Sequence, residues 1–112
     1  MGRIIQVPFR AIVAAATGVR VQDDRQIKGT ITMVKIHWPP GCNSLVLVAL
    51  GKGRTQFCPD GSGTFLALDA VTETIEFNEP ITPSEQLWFE VRNTDAINPH
   101  TISALVKVVE EE

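Results

Sequence analysis

The chain contains no tyrosine, and only two residues each of cysteine, histidine, tryptophan and methionine among 112. Each scarcity removes a class of function. Cys42 and Cys58, with 15 residues between them, are too few for a secreted disulfide framework or a four-thiolate zinc site, and they make no CxxC redox pair. Two readings stay open for them: small buried hydrophobes, or one disulfide bridge across the open end of the hairpin they bracket. His37 and His100 are the only imidazoles, so a nucleophile beside an oriented base has few places to form. No G-x-S-x-G elbow occurs, and neither cysteine has the basic or helix-capping surroundings that activate a thiolate. No enzyme is expected.

Charge of one sign is also scarce. The net charge is -3 and the basic residues are scattered singly, which leaves no stripe to track a phosphate backbone, so nucleic acid is not an expected partner. The only charge run is Glu110, Glu111 and Glu112, a solvated tail. Long apolar runs are missing as well. Pro8 and Arg10 break the first one and Pro39 and Pro40 stop the longest alternating one, well short of the ~20 residues that span a bilayer. The same breaks spoil the stretch from Arg3 to Ala14, Ala15 and Ala16 as a secretory leader. Neither a signal peptide nor a membrane span is expected.

What is present is period-2 alternation, many β-branched residues and frequent Gly and Pro punctuation, with no 3.6-residue apolar stripe. The clearest strand is 29–38 (GTITMVKIHW), with Ile31 and Met33 on one face and Val34, Ile36 and Trp38 on the other. Pro39-Pro40-Gly41 turns the chain. Segment 44–50 is apolar on both faces and reads as a central strand, Gly51-Lys52-Gly53 as a hairpin connection and 54–58 as the returning strand. A tight turn follows over 59–63, then strands 64–68, 71–77, 86–92 and 100–109, with a polar, turn-rich loop at 93–99. At the N-terminus, 3–7 reads as a short strand ended by Pro8, and 9–15 as extended or partly helical. Residues 1–24 are thus an N-terminal arm plus the first strand. Eight or nine short strands with turn signals every 8 to 12 residues predict one all-β domain over 1–112, an antiparallel β-sandwich or jelly roll.

Other chemistry is looked for in vain. Glu73, Glu76, Glu79, Glu85 and Glu90 lie in or beside strands as the charges of a solvated face, not as a glycosidase pair. The glycines of 51–53 and 61–63 lack the following helix of a phosphate loop. The run 87–103 (LWFEVRNTDAINPHTIS) resembles the strand, asparagine-containing loop and proline-histidine step with which cupredoxins present their first copper ligand, and the resemblance implies that role for His100. The cysteine, second histidine and methionine needed further along are absent from the 12 residues that follow. No metal or other cofactor is expected, and Asn93, Asp95 and Asn98 read as residues that satisfy loop backbone.

A sandwich without a catalytic set works by binding. Ile4, Ile5, Val7 and Phe9 must be covered by the domain or by a neighbour, and Trp38, Pro39 and Pro40 offer a rigid contact surface, or else Trp38 caps the core. These seven residues are the predicted protein interface. Over most of its length this small, turn-rich sandwich resembles, in type and not in motif, the jelly-roll proteins that build or decorate virus particles, such as capsid cement and head-fibre proteins of tailed phages. That resemblance implies a virion protein, a homo-oligomer with a trimer favoured, and a capsid or other shell protein as partner. The alternative is a carbohydrate-binding or adhesion module on the same fold class, against which the lack of tyrosine counts.

Overall fold

A computed structural model describes residues 3–58 and 65–111. Eight strands and no helix occur among them: β1 (Arg3–Val13), β2 (Gly18–Gln22), β3 (Gly29–Trp38), β4 (Val46–Lys52), β5 (Thr55–Cys58), β6 (Val71–Ile81), β7 (Leu87–Asn93) and β8 (His100–Glu110). They form two four-stranded antiparallel sheets. Sheet A has the order β1-β8-β3-β6 and sheet B the order β2-β7-β4-β5. The first strand lies beside the last, the second beside the seventh, the third beside the sixth and the fourth beside the fifth. A long hairpin rolled into two facing layers has this order, which is that of a jelly roll. No helix among the described residues is long and apolar enough to cross a membrane.

Alternation sends one face of each strand into the space between the sheets. Val7, Phe9, Ala11 and Val13 of β1 and Ile102, Ala104, Val106 and Val108 of β8 are all buried. Two aromatic contacts tie the layers together: Phe9 and Phe89 stack at 5.7 Å between centroids, and Phe57 meets Phe77 edge-on at 5.3 Å.

In β3 the register slips between Ile31 and Met33 against both of its neighbours. Against β8 the extra residue is Thr32 of β3, and against β6 it lies in β6 between Glu76 and Glu79; Ile31 therefore faces inward together with Val34, Ile36 and Trp38 instead of sharing the outer face with Met33. Four buried side chains result where uninterrupted alternation offers three.

Pro8 does not end the first strand. It lies inside β1, paired with Leu105, and Pro80 lies inside β6 in the same way. Both strands are sheet edges, where a residue without an N–H is tolerated. Residues 3–13 are therefore an edge strand paired along its whole length and not an arm. Two further boundaries move. The first hairpin turns at Gly53 and Arg54, with Gly53 at φ 56. Of the expected strand 64–68, the described part makes a single bridge, Leu66 to Val48, which continues the β5 side of β4. The expected turn at 59–63 and Thr64 lie outside the described residues.

Candidate functional site

The residues predicted to form an interface are divided by the fold. Val7, Phe9 and Trp38 are core, and Ile5 packs against the core, so the domain itself covers them. Trp38 is fully buried and its Nε1 donates to the Val46 carbonyl at 3.1 Å. Ile4 is 62% exposed, Pro40 is exposed and Pro39 half-buried. Of the two readings left open for Cys42 and Cys58, small buried hydrophobes or a bridge, the structure has both as free, buried thiols. Burial pushes the Cys58 thiol up to about 12, and burial followed by the Asp69 carboxylate raises that of Cys42.

Sheet A presents two long edges. β1 and β6 are each 11 residues long and form its outer strands. On the outer face of β1, Ile4 pairs with Val109 of β8, and Ile12 is 70% exposed. The two edges differ in charge. β1 carries Arg3 and Arg10, whereas β6 carries Glu73, Glu76 and Glu79. Arg3 is held by Glu110 at 2.9 Å and Glu79 by Lys52 at 3.3 Å, which leaves Arg10 on one edge and Glu73 and Glu76 on the other without partners among the described residues.

Sheet B is different on its outside. Leu87, Phe89, Val91 and Asn93 of β7 point inward and are buried, so Trp88, Glu90 and Arg92 share the outer face. The β2 register sets Arg20 opposite Glu90, and the β4 register sets Ala49 opposite Glu90 and Gly51 opposite Trp88. Glu90 Oε1 accepts from Arg20 Nε at 3.1 Å and Nη2 at 2.7 Å, while its Oε2 accepts from Arg92 Nε at 3.0 Å. The Arg20 guanidinium lies 4.1 Å over the Trp88 ring and that of Arg92 lies 4.7 Å over Phe65. Trp88 Nε1 donates to the Gly53 carbonyl at 3.0 Å. These groups line a hollow of about 220 Å³ that is completed by Arg54 and Gln56.

The loop between β7 and β8 closes one end of the sandwich. The Asn93 amide donates to the carbonyls of Val13, Ala14 and Asn98 and accepts from the Asp95 N–H. Asp95 Oδ1 accepts the N–H groups of Ile97 and Asn98, and its Oδ2 accepts from His100 Nε2 at 2.9 Å. Asn93 and Asp95 thus satisfy loop backbone as their sequence context predicts. The hydrogen bonds from His100, then Ile97 and Asn98, hold the Asp95 carboxyl down at about 2.

With Nε2 donating, His100 Nδ1 is an acceptor and faces Cys42 Sγ at 3.8 Å. Sequence reading did not connect these groups, because 58 residues separate Cys42 from His100. Thiol, imidazole and carboxylate lie in the order that a cysteine nucleophile uses. Here, however, Cys42 is fully buried, and burial and then the Asp69 carboxylate raise its thiol pKa, the opposite of what activates a thiolate. The thiol and the carboxylate sit on opposite nitrogens of the ring, so they cannot share a metal ion, and no metal-holding group of His, Cys, Asp or Glu occurs among the described residues.

The arginine-lined face was equally hidden, since its basic residues come from β2, the β4–β5 turn and β7. The i, i+2, i+4 series Trp88, Glu90, Arg92 is the signal that could have marked it.

No family model and no curated protein matches this chain. Among solved structures it is similar to FlhE, with 12% identity and a TM-score of 0.49 over 96% of this chain and 98% of that one. It is also similar to a protein of Bacillus endospore appendages, described as a family of disulfide-linked pili, with 11% identity and a TM-score of 0.48 over 99% of this chain and 92% of that one. At such identity and TM-score neither likeness extends to function.

Proposed function

We propose that the chain is a non-enzymatic structural protein whose copies join edge to edge through sheet A. The observation that carries this reading is the complementarity of the two outer strands. β1 and β6 have equal length, and the four strands of sheet A alternate in direction, so β6 of one copy meets β1 of the next in antiparallel sense. Such a junction pairs backbone groups that an edge leaves open, in the manner of strand addition. Arg10, on the outward side of one edge, faces an edge that carries Glu76 on its outward side and Glu73 on its inward side. Pro8 and Pro80 each remove one donor from the joined ladder, which limits the register without closing the edge.

A contact between unlike edges is head-to-tail. It closes into a ring where the rotation allows and runs on where it does not. The closed form fits the trimer that the resemblance to jelly-roll virion proteins implies. The setting that the sequence resemblance implies is the shell of a virus particle, with a capsid protein as the second partner. The jelly roll is common to viral capsid and lectin domains, which supports that setting by analogy of fold.

Light scattering across a concentration series tests the reading. The expected result is an oligomer whose mass falls to that of one chain in the Glu73→Lys, Glu76→Lys double variant. Adding Arg10→Glu to that variant should restore part of the association. A monomer at every concentration overturns the proposal, as does an oligomer that the lysine substitutions leave unchanged.

A further inference from the structure

We propose that the outer face of sheet B is a binding site for an oxyanion group, a carboxylate or sulfate, carried on an acidic sugar. Three of the six arginines of a chain with net charge -3 converge there, on a hollow lined by Arg20, Arg54, Arg92, Trp88, Phe65 and Glu90. Among the described lining residues three guanidinium charges stand against the single carboxylate of Glu90, so the local field opposes that of the chain as a whole.

The guanidinium groups are held in place before any ligand arrives. Glu90, whose side chain is only 14% exposed, fixes Arg20 through one oxygen and Arg92 through the other, and the rings of Trp88 and Phe65 lie beneath them. Arg20 spends two of its N–H donors on Glu90 and Arg92 spends one. Arg54 is exposed and spends none. The remaining donors form planar forks of the kind that match a carboxylate or sulfate. Exposed ion pairs contribute little to stability, so folding alone gives no reason for this arrangement.

The floor is built to keep the hollow open. A Cβ at Gly51 would lie 2.1 Å from Trp88 Cζ2, so the absence of a side chain there lets the indole lie flat against β4. A second hollow of about 220 Å³ adjoins the first, shares Arg20, Glu90 and Arg92, and adds Gly18 and Val19. Each is below the ~300 Å³ of an ordinary ligand pocket. Two adjoining hollows with arginines between them suit a sugar better than a bare ion, because the ring lies in one while its acidic group meets the shared guanidinium groups. The site is separate from the strand edges and does not rest on the assembly reading.

The two indole N–H resonances provide the test, since Trp88 lies under Arg20 and Trp38 is sealed between the sheets. The full chain is titrated with glucuronate, inorganic sulfate and glucose. Saturable movement of the Trp88 signal by glucuronate, with Trp38 unmoved and glucose without effect, is expected. Arg54 has no partner among the described residues, and Arg54→Glu should weaken glucuronate binding by roughly tenfold or more. Sulfate that binds as well as glucuronate would assign the site to free oxyanions and overturn the sugar. The site itself is refuted if neither anion moves Trp88, if glucose moves it equally, or if Arg54→Glu leaves the affinity unchanged.

Discussion

The two sheets spend their residues differently. Sheet A consists of strands of 10 or 11 residues, and sheet B of strands of 4 to 7. In sheet A the outer face carries threonines, Lys35, His37, Lys107 and scattered apolar side chains over a long ladder, with Arg10 and Glu76 on its two edge strands. In sheet B, Ala49, Gly51 and Trp88 are buried although they lie on the side away from the core. Side chains there form a thin third layer, with Glu90 and its arginines on top. A sheet whose order resides in its backbone offers edges to other strands, whereas one whose order resides in its outer side chains offers a shaped surface. This contrast is why assembly is assigned to sheet A and ligand recognition to sheet B.

Two glycines test the contrast with the largest expected effects. A Cβ at Gly29 would lie 2.2 Å from the Val109 carbonyl oxygen and 2.9 Å from Glu110 Cα, both backbone atoms of β8. The ladder of sheet A would have to separate, and Gly29→Ala is expected to cost about 3 kcal/mol in urea denaturation. At Gly51 the two nearest atoms, at 2.1 and 2.3 Å, belong to the Trp88 ring, which can swing outward, and only the third, the Thr55 carbonyl oxygen at 2.7 Å, is backbone. Gly51→Ala is expected to cost about 2 kcal/mol and to shift Trp88 fluorescence as the indole leaves its place under Arg20. If Gly29→Ala proves as mild as Gly51→Ala, the ladder of sheet A is not the rigid element described here.

Much of this architecture is legible in the sequence, because period-2 alternation and Gly/Pro turns report burial and chain reversal directly. The core positions Val34 and Ile36 and the backbone-satisfying loop at Asn93 and Asp95 come from such local signals. What stays hidden depends on neighbours. Pro8 reads as a strand breaker because alternation does not distinguish an edge strand from a central one. Ile31 reads as outward because a bulge adds one residue without any local mark. The arginine-lined face and the Cys42–His100 contact depend on register between strands far apart in the chain. No one-dimensional pattern encodes that register.

At the ends of the sandwich the two sheets are tied together by polar groups. Asp95 belongs to the loop that carries the chain from β7 in sheet B to β8 in sheet A. Its carboxyl, ordinarily at 3.8, is held at about 2 in the fold, which means that the folded chain favours the charged form. The unfolded chain takes up the proton first as the pH drops, so this contribution is complete above 3.8 and is lost as the pH falls towards about 2. Urea midpoints measured through that window should decline in the wild type. In Asp95→Asn they should start lower at neutral pH and decline less. Parallel curves for the two proteins would show that Asp95 does not tie this end.

At the opposite end, Lys52 of β4 crosses to β6, where it meets Glu79 at 3.3 Å, the Pro80 carbonyl, and Glu85 beyond β6 at 3.8 Å. Its side chain is only 8% exposed, and a buried cation is often taken as a main tie between sheets. The partners argue otherwise. Glu79 and Glu85 remain 35% and 28% exposed, so water can take over their charges once the ammonium is gone. Most of what Lys52 contributes is then the burial of its apolar stem. Lys52→Met keeps that stem and should cost only about 1 kcal/mol, the smallest effect of the series, whereas Lys52→Ala should cost about 1 kcal/mol more. Equal losses for the two variants would assign the tie to the charge instead, and sheet B would then be held to sheet A electrostatically at both of its ends.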